Sequence, residues 1–261
     1  MMGELLGEYA WSAERPALDE LDYEQFSLLA EWLKPPRPSD VPCKQTPLDL
    51  SAAMNRSYVD EQRGDGIGWL DLGALHDLSA LERGRRQMGR YLFEIVEPGD
   101  GHGCVMVGGP KATLPGIPTS ATFPVGRRCD SLVFLHTVNF AEYGPRSVGV
   151  YRIRYADGQT VEVPLTNAID IGPWRRPERF DRWFGKPRLC GHYFRAERAW
   201  VGFTRAAEEV DLIAREWVNP RPEVEIAEVT VEASVPGDDG ALALLAVTAV
   251  TAATTLQEAA Q

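Results

Sequence analysis

The stretch from Ser131 to Leu165 constrains the fold of this 261-residue chain more than any other part of it. Its first third is apolar at consecutive positions, which is typical of a strand buried on both faces. Apolar and polar residues then alternate on both sides of a turn, which predicts a β-hairpin. Directly opposed residues share a face of a sheet, so we expect Ile153 to lie opposite Val161. That register requires a three-residue loop starting at Ala156, with Gly158 in a left-handed conformation.

The chain after Thr46 consists of short β-type segments separated by turns rich in Gly, Pro, Asn and Asp. No stretch alternates strands with helices, so a parallel α/β sheet is not expected. The pattern predicts an all-β fold, namely an antiparallel sandwich of two sheets with jelly-roll topology. Two long irregular segments interrupt the strands, at 55–90 and 166–198, and long loops of a sandwich often carry its function. The predicted strands are 48–52, 91–96, 104–108, 131–140, 147–156, 159–165, 199–204, 210–218, 224–233 and 242–250.

Residues 1–46 are predicted to form a short helical extension and a Pro-rich linker, and residues 47–261 the sandwich domain. The helix is expected between Pro16 and Pro35, because apolar residues recur among acidic ones there. The first residues have neither the basic start nor the apolar core of a secretory signal, so we expect a soluble, cytoplasmic protein. The Ala-rich segment 241–253 is too short and too rich in Thr for a membrane span.

The net charge of −11 argues against sequence-independent nucleic-acid binding and against docking on anionic lipid. We therefore expect neither a nucleic-acid partner nor a membrane partner. The four cysteines, Cys43, Cys104, Cys129 and Cys190, are widely spaced and have no zinc-type pattern. Buried thiols are expected, and one disulfide is possible.

The first long loop is crowded with oxygen-bearing side chains and glycines between Asn55 and Leu78. Calcium takes six to eight oxygen ligands, backbone carbonyls among them, so this composition suits a structural Ca²⁺ ion. The alternative is that these side chains hydrogen-bond to their own turns. The predicted side-chain ligands are Asn55, Asp60, Asp65 and Asp71, with carbonyls near Gly66 and Gly68 completing the shell.

The second long loop carries Trp174 and Trp183 among several arginines. Indole rings stack on the C–H faces of sugars, and sugar hydroxyls need planar polar partners, so the loop suits carbohydrate. The alternative for each tryptophan is that it covers the end of the sandwich core. A single histidine on a core-facing strand, such as His136, can equally be a hydrogen-bonded core residue. The predicted ligand-binding residues are Trp69, Asp77, His136, Asn139, Trp174, Arg175 and Trp183.

Several strings occur in one order along the chain: the 55–78 loop, FLHTVNF, VGVYRIRYADGQTVEVPL, IDIGPW and WVNPRPEVEI. In this combination the chain resembles the galactose-binding-like jelly-roll accessory domains of bacterial glycoside hydrolases. The resemblance covers roughly residues 46–251. It implies non-catalytic sugar binding or packing against a catalytic partner, often with a structural calcium ion. The chain departs from the pattern at Arg175-Arg176, where relatives tend to carry a second aromatic residue.

The function predicted from the sequence is that of a non-catalytic carbohydrate-binding or accessory module, whose partners are carbohydrate and either a glycoside hydrolase or further copies of itself. Two alternatives stay open. The first is a glycoside hydrolase that uses loop carboxylates beside Trp69 and Trp174 as acid and base. The second is a structural subunit that docks on a partner enzyme through its N-terminal helix.

Overall fold

A computed structural model of the chain describes residues 37–99, 102–139, 146–175, 195–238 and 240–253. The predicted N-terminal helix, Trp183 and Cys190 lie outside these ranges. Within them the chain forms twelve strands and a single 3-10 turn, Pro38–Asp40. The prediction of an all-β fold is confirmed. The strands are β1 Cys43–Pro47, β2 Gly84–Met88, β3 Tyr91–Ile95, β4 Val105–Gly108, β5 Ser120–Arg127, β6 Ser131–Asn139, β7 Ser147–Tyr155, β8 Thr160–Thr166, β9 Glu197–Phe203, β10 Glu209–Val218, β11 Ile226–Ala233 and β12 Ala241–Ala252.

Two antiparallel sheets form the sandwich. The larger, here called the central sheet, has the order β1-β12-β6-β10-β9, and β4 also pairs with β12. The second sheet has the order β5-β11-β7-β8. Strands β2 and β3 form a separate hairpin. This arrangement is compatible with a jelly roll. Strand β1 spans the predicted domain boundary at 46/47 and pairs with β12 along its whole length.

The inner core lies between the two sheets. Alternate residues of β6, such as Leu132 and Phe134, meet alternate residues of β7, such as Tyr151 and Ile153, and all four are fully buried. The rings of Phe134 and Tyr151 stack with their centroids 4.0 Å apart. Alternation in the sequence of β7 therefore corresponds to one face in the core and one face in solvent.

A second core, the outer core, covers the opposite face of the central sheet. There Val133 and Leu135 of β6 contact a layer that contains Trp69, Leu78 and Phe93. This layer consists of residues 55–81 and the β2–β3 hairpin. The prediction that β6 is buried on both faces is thus confirmed. Its outer face is covered by residues 55–81, which contain no strand, and by the small β2–β3 sheet.

The β7–β8 hairpin has the predicted register. Ile153 lies opposite Val161, and Arg152 lies opposite Glu162. Gly158 has a φ of 87°, which is left-handed as predicted. On the solvent face of the second sheet, Arg152 pairs with Glu162 at 2.9 Å and also contacts Glu232. This face is a solvated ladder of ion pairs.

One predicted strand was wrong, and two strands of the structure were not predicted. Residues 48–52 are not a strand, because the chain turns at Leu50, whose carbonyl accepts from the amide of Ala53. The strand lies earlier, at β1. Strand β2 was missed because its exposed residues are polar. Strand β5 was missed because it contains Pro124 and Gly126, which an edge strand tolerates and a central strand does not.

Candidate functional site

The segment Pro173–Arg175 is inserted into the central sheet between the end of β6 and the start of β10. The amide of Trp174 donates to the carbonyl of Val138 at 3.1 Å, and the carbonyl of Trp174 accepts from the amide of Asp211 at 2.8 Å. We call this segment the wedge. Its backbone bonds on both sides fix where the side chains of Trp174 and Arg175 lie.

The wedge brings three of the predicted ligand-binding residues together with Trp174. The rings of Trp69 and Trp174 meet edge to face, with centroids 5.5 Å apart. The indole Nε1 of Trp174 donates to Oδ1 of Asn139 at 3.2 Å, and the guanidinium of Arg175 lies 5.0 Å from the ring centroid of Trp174. Both tryptophans are only 1% exposed. Their faces are therefore part of the outer core and do not form an open platform.

A half-exposed ionic trio lies directly beside Trp174. Oε1 of Glu208 accepts from Nη1 of Arg175 at 2.7 Å, and Oε2 lies 2.7 Å from Nδ1 of His76. The side chains of His76, Arg175 and Glu208 are 35%, 39% and 28% exposed. Burial raises the pKa of Glu208, but the hydrogen bonds from His76 and Arg175 outweigh this and hold the pKa below its ordinary value. The trio is thus a rigid, accessible group of planar polar side chains.

His136 does not belong to this group. It is fully buried between the sheets, where Nδ1 lies 2.7 Å from the hydroxyl of Tyr151 and Nε2 lies 3.0 Å from the carbonyl of Asp170. The carbonyl can only accept, so Nε2 carries the proton and Nδ1 accepts from Tyr151. Burial, followed by repulsion from Arg215, lowers the pKa of His136 to about 3. These contacts match the core alternative for this histidine.

The oxygen-rich side chains of residues 55–78 contact their own backbone surroundings. The amide group of Asn55 bonds to both the N–H and the carbonyl of Met106. Oδ1 of Asp65 accepts from the amide of Ile67 at 3.0 Å, and Oδ1 of Asp71 accepts from the amide of Gly64 at 2.7 Å. Asp77 likewise accepts from the amides of Asp60 and Ser79, at 3.0 Å each. The bonds of Asp65 and Asp77 to the amides two positions further on correspond to the turn-forming alternative, whereas the other bonds join parts of the chain that are farther apart in sequence.

The positive charge inside this loop belongs to Arg56. Its Nε donates to the carbonyl of Gly68 at 2.5 Å, and its Nη1 donates to the carbonyls of Gly66 and Pro115 at 2.8 and 3.1 Å. The two glycine carbonyls expected around calcium thus bind a guanidinium. Among the described residues, no group of three or more His, Cys, Asp or Glu side chains lies close enough to hold a metal ion. The calcium ion itself stays a prediction.

Asp60 is the buried acid of the loop, at 1% exposure. Its carboxylate oxygens form no hydrogen bond with the described part of the chain. The amides of Leu72 and Gly73 lie near them, but not in hydrogen-bonding geometry. Burial raises the pKa of Asp60, repulsion from Asp65 and Asp71 adds to the rise, and the two amides oppose it. The side chain lies against Gly68, where a Cβ atom would be 2.6 Å from Cγ of Asp60.

Glu208 and His76 were missed by the sequence prediction. They are separated by 132 positions, and neither has a local pattern that indicates a partner. The only local signal was Arg175 itself, a cation beside a predicted ligand-binding tryptophan. Cys43, Cys104 and Cys129 are free thiols; Cys104 and Cys129 are buried as expected, whereas Cys43 is only partly buried.

No protein-family model, no curated protein and no solved structure matches this chain. In the described ranges, no helix has both the length and the apolar character needed to cross a membrane.

Proposed function

We propose that this protein is a non-catalytic carbohydrate-binding module that binds its ligand at the trio of His76, Arg175 and Glu208. The observation that carries the proposal is the trio itself, a set of planar polar groups held in place at the surface beside the buried Trp174. Planar charged groups that act through several N–H donors and carboxylate oxygens are well suited to vicinal hydroxyls.

The charge of the trio supports a neutral ligand. Arg175 and Glu208 neutralise each other at 2.7 Å, so the trio offers hydrogen bonds without a strong field of either sign. The chain as a whole carries a net charge of −11, which repels phosphorylated or acidic ligands. A neutral polyhydroxylated molecule needs no strong local charge for binding and is not repelled by the net charge of the chain.

The state of Glu208 argues against a role as the general acid of a glycosidase. A glycosidase needs a carboxylic acid whose pKa is raised so that it can protonate the leaving oxygen. The pKa of Glu208 is lowered, since hydrogen bonds from His76 and Arg175 overcome the effect of burial. An ionised carboxylate that is already hydrogen-bonded to two side chains can accept further hydrogen bonds from hydroxyls, but it does not serve as a proton donor.

The finer resemblance to accessory domains of glycoside hydrolases is part of this proposal. The antiparallel sandwich supports it at the level of architecture. Under the proposal, the module would bring a partner glycoside hydrolase to its polysaccharide, and the buried Trp69–Trp174 pair would support the trio from beneath.

The test begins with a glycan array probed with the intact chain and read for both binding and product release. For a glycan that binds, calorimetry then compares the wild type with Glu208→Gln and Arg175→Met. Loss of one charged hydrogen-bond group should weaken binding roughly tenfold, which corresponds to about 1.4 kcal/mol. The matched control is Glu228→Gln, which removes the same charge from the ion pair with Arg154 on the opposite, solvent face of the second sheet.

Unchanged affinity in Glu208→Gln and Arg175→Met would place the ligand elsewhere on the chain. An array without any bound glycan would overturn the proposal, and release of a cleaved product would favour the enzyme alternative.

A further inference from the structure

Sheet edges with free backbone groups can pair with other strands, and most edges in this protein carry a recognisable protection. Edge strands β1, β5 and β8 contain Pro47, Pro124 and Pro164, which lack the N–H that a neighbouring strand would need. The edge of β4 is covered by Asn55, whose side-chain amide takes both backbone bonds of Met106.

Strand β9 is different. It forms the outer edge of the central sheet, contains no proline, and pairs on its outer side with no strand of the described ranges. A bulge beside Trp200 disturbs its first half, which leaves a regular edge up to Phe203. On this edge Val201 and Phe203 are 45% and 59% exposed. An exposed apolar edge of this kind is suited to pairing with another strand.

We propose that β9 pairs with β9 of a second copy of the chain, antiparallel and across a two-fold axis at Val201. In this register Val201 lies opposite its own equivalent, and Trp200 lies opposite Gly202 of the other copy. Opposed residues share a face, so the exposed valines contact each other, and both tryptophans lie on the opposite face. Trp200 already covers Gly202 within its own strand, because a Cβ atom at Gly202 would lie 2.2 Å from the indole.

Charge complementarity favours a second copy over an unrelated strand. Antiparallel pairing around Val201 brings the Glu197 end of each strand to the Arg205 end of the other, so opposite charges meet twice by symmetry. Within its own chain Glu197, whose side chain is 22% exposed, lies 3.3 Å from Arg90 and 3.6 Å from Arg37, so Arg205 of the other copy would join an existing ionic cluster. A two-fold contact of this kind uses one surface twice and closes without forming fibres.

Light scattering after size exclusion, over a wide dilution series, tests the proposal. The wild type should show twice the mass of one chain at high concentration and dissociate on dilution. Val201→Lys should be monomeric throughout, because two lysines would meet on the axis. Its circular dichroism and melting temperature should match the wild type, since the side chain is exposed.

A crosslinking experiment fixes the register. Val201→Cys should be converted to a covalent dimer by a short thiol crosslinker, whereas Val218→Cys should not. Val218 is a matched control because it is 43% exposed and lies at the other end of β10, and both variants keep the same native cysteines. A monomeric wild type at every concentration would overturn the proposal. A dimer that persists in Val201→Lys, or that crosslinks equally at both positions, would also overturn it. None of these readouts depends on a glycan, so the result is independent of the carbohydrate proposal.

Discussion

The two faces of the central sheet are covered in different ways. The inner face is covered by the second sheet, whose strands satisfy their own backbone groups through regular ladders. The outer face is covered by residues 55–81 and the β2–β3 hairpin, where many backbone groups bond to side chains instead. Arg56 alone binds three carbonyls, and the hydroxyl of Tyr58 donates to the carbonyl of Val96 at 2.7 Å.

This difference shows what an irregular cover requires. A sheet needs little more than alternating apolar residues, because its backbone partners come with the neighbouring strand. An irregular segment must obtain the same partners from polar side chains at particular positions, and those side chains become buried with it. We therefore expect the replacement of a single polar side chain to lower the stability of the outer cover much more than that of the inner one.

The largest expected effect tests whether both covers belong to one cooperative unit. Trp174→Ala removes a buried indole from the outer core and should lower the free energy of unfolding by about 3–5 kcal/mol. Phe134→Ala, in the inner core, should have a similar cost. Chemical denaturation measures both. A cost well below that of Phe134→Ala would mean that the outer cover unfolds separately, and unchanged stability with lost glycan affinity would restore the platform interpretation of Trp174.

The next effect concerns the polar anchor of the outer cover. Arg56→Met keeps an apolar stem but leaves the carbonyls of Gly66, Gly68 and Pro115 without their donor, so we expect a loss of about 3 kcal/mol. Melting curves with and without a chelator add a test of the predicted calcium ion. If calcium also orders the loop, chelation lowers the melting temperature of the wild type, and Asp65→Ala abolishes that response. If Arg56→Met were as stable as the wild type, the outer cover would not depend on buried polar side chains as we infer.

A pH effect should come from the inner core through His136. The unfolded chain binds a proton at this residue near its ordinary pKa of 6.5, whereas the folded protein does so only near 3. Stability from this residue is therefore complete above pH 6.5 and falls as the pH decreases toward 3, by up to about 1.4 kcal/mol per pH unit. Unfolding at a series of pH values should show a shallower slope for His136→Gln. Identical slopes for the two proteins would refute this assignment.

The smallest of these effects concerns the regular cover. Gly158 has a φ of 87° and no neighbouring atom within 4 Å of a Cβ placed on it, so only its backbone conformation opposes substitution. Gly158→Val should cost about 2 kcal/mol, and Gly158→Asn less than about 1 kcal/mol, because Asn tolerates the left-handed region. Equal stabilities in denaturant would show that the turn can change its conformation.

What the sequence predicts follows the same division. Alternation around Tyr151 and the position of Gly158 predict the hairpin, its register and its turn, because each depends on residues close in sequence. The trio of His76, Arg175 and Glu208 depends on contacts across 33 and 132 positions, and no periodic pattern encodes such contacts. The sequence identified the oxygen-rich loop as polar but could not show that its internal cation is a guanidinium from Arg56.

The wedge has a consequence for measurement. Its segment carries both Arg175, which belongs to the proposed binding site, and the carbonyl that holds the amide of Asp211 in the central sheet. A ligand that draws Arg175 toward itself must therefore strengthen or weaken this single hydrogen bond between the amide of Asp211 and the carbonyl of Trp174. The hydrogen-exchange rate at Asp211 is thus a built-in reporter of what happens at the surface. It can be read in the intact protein by deuterium exchange, without attaching a probe.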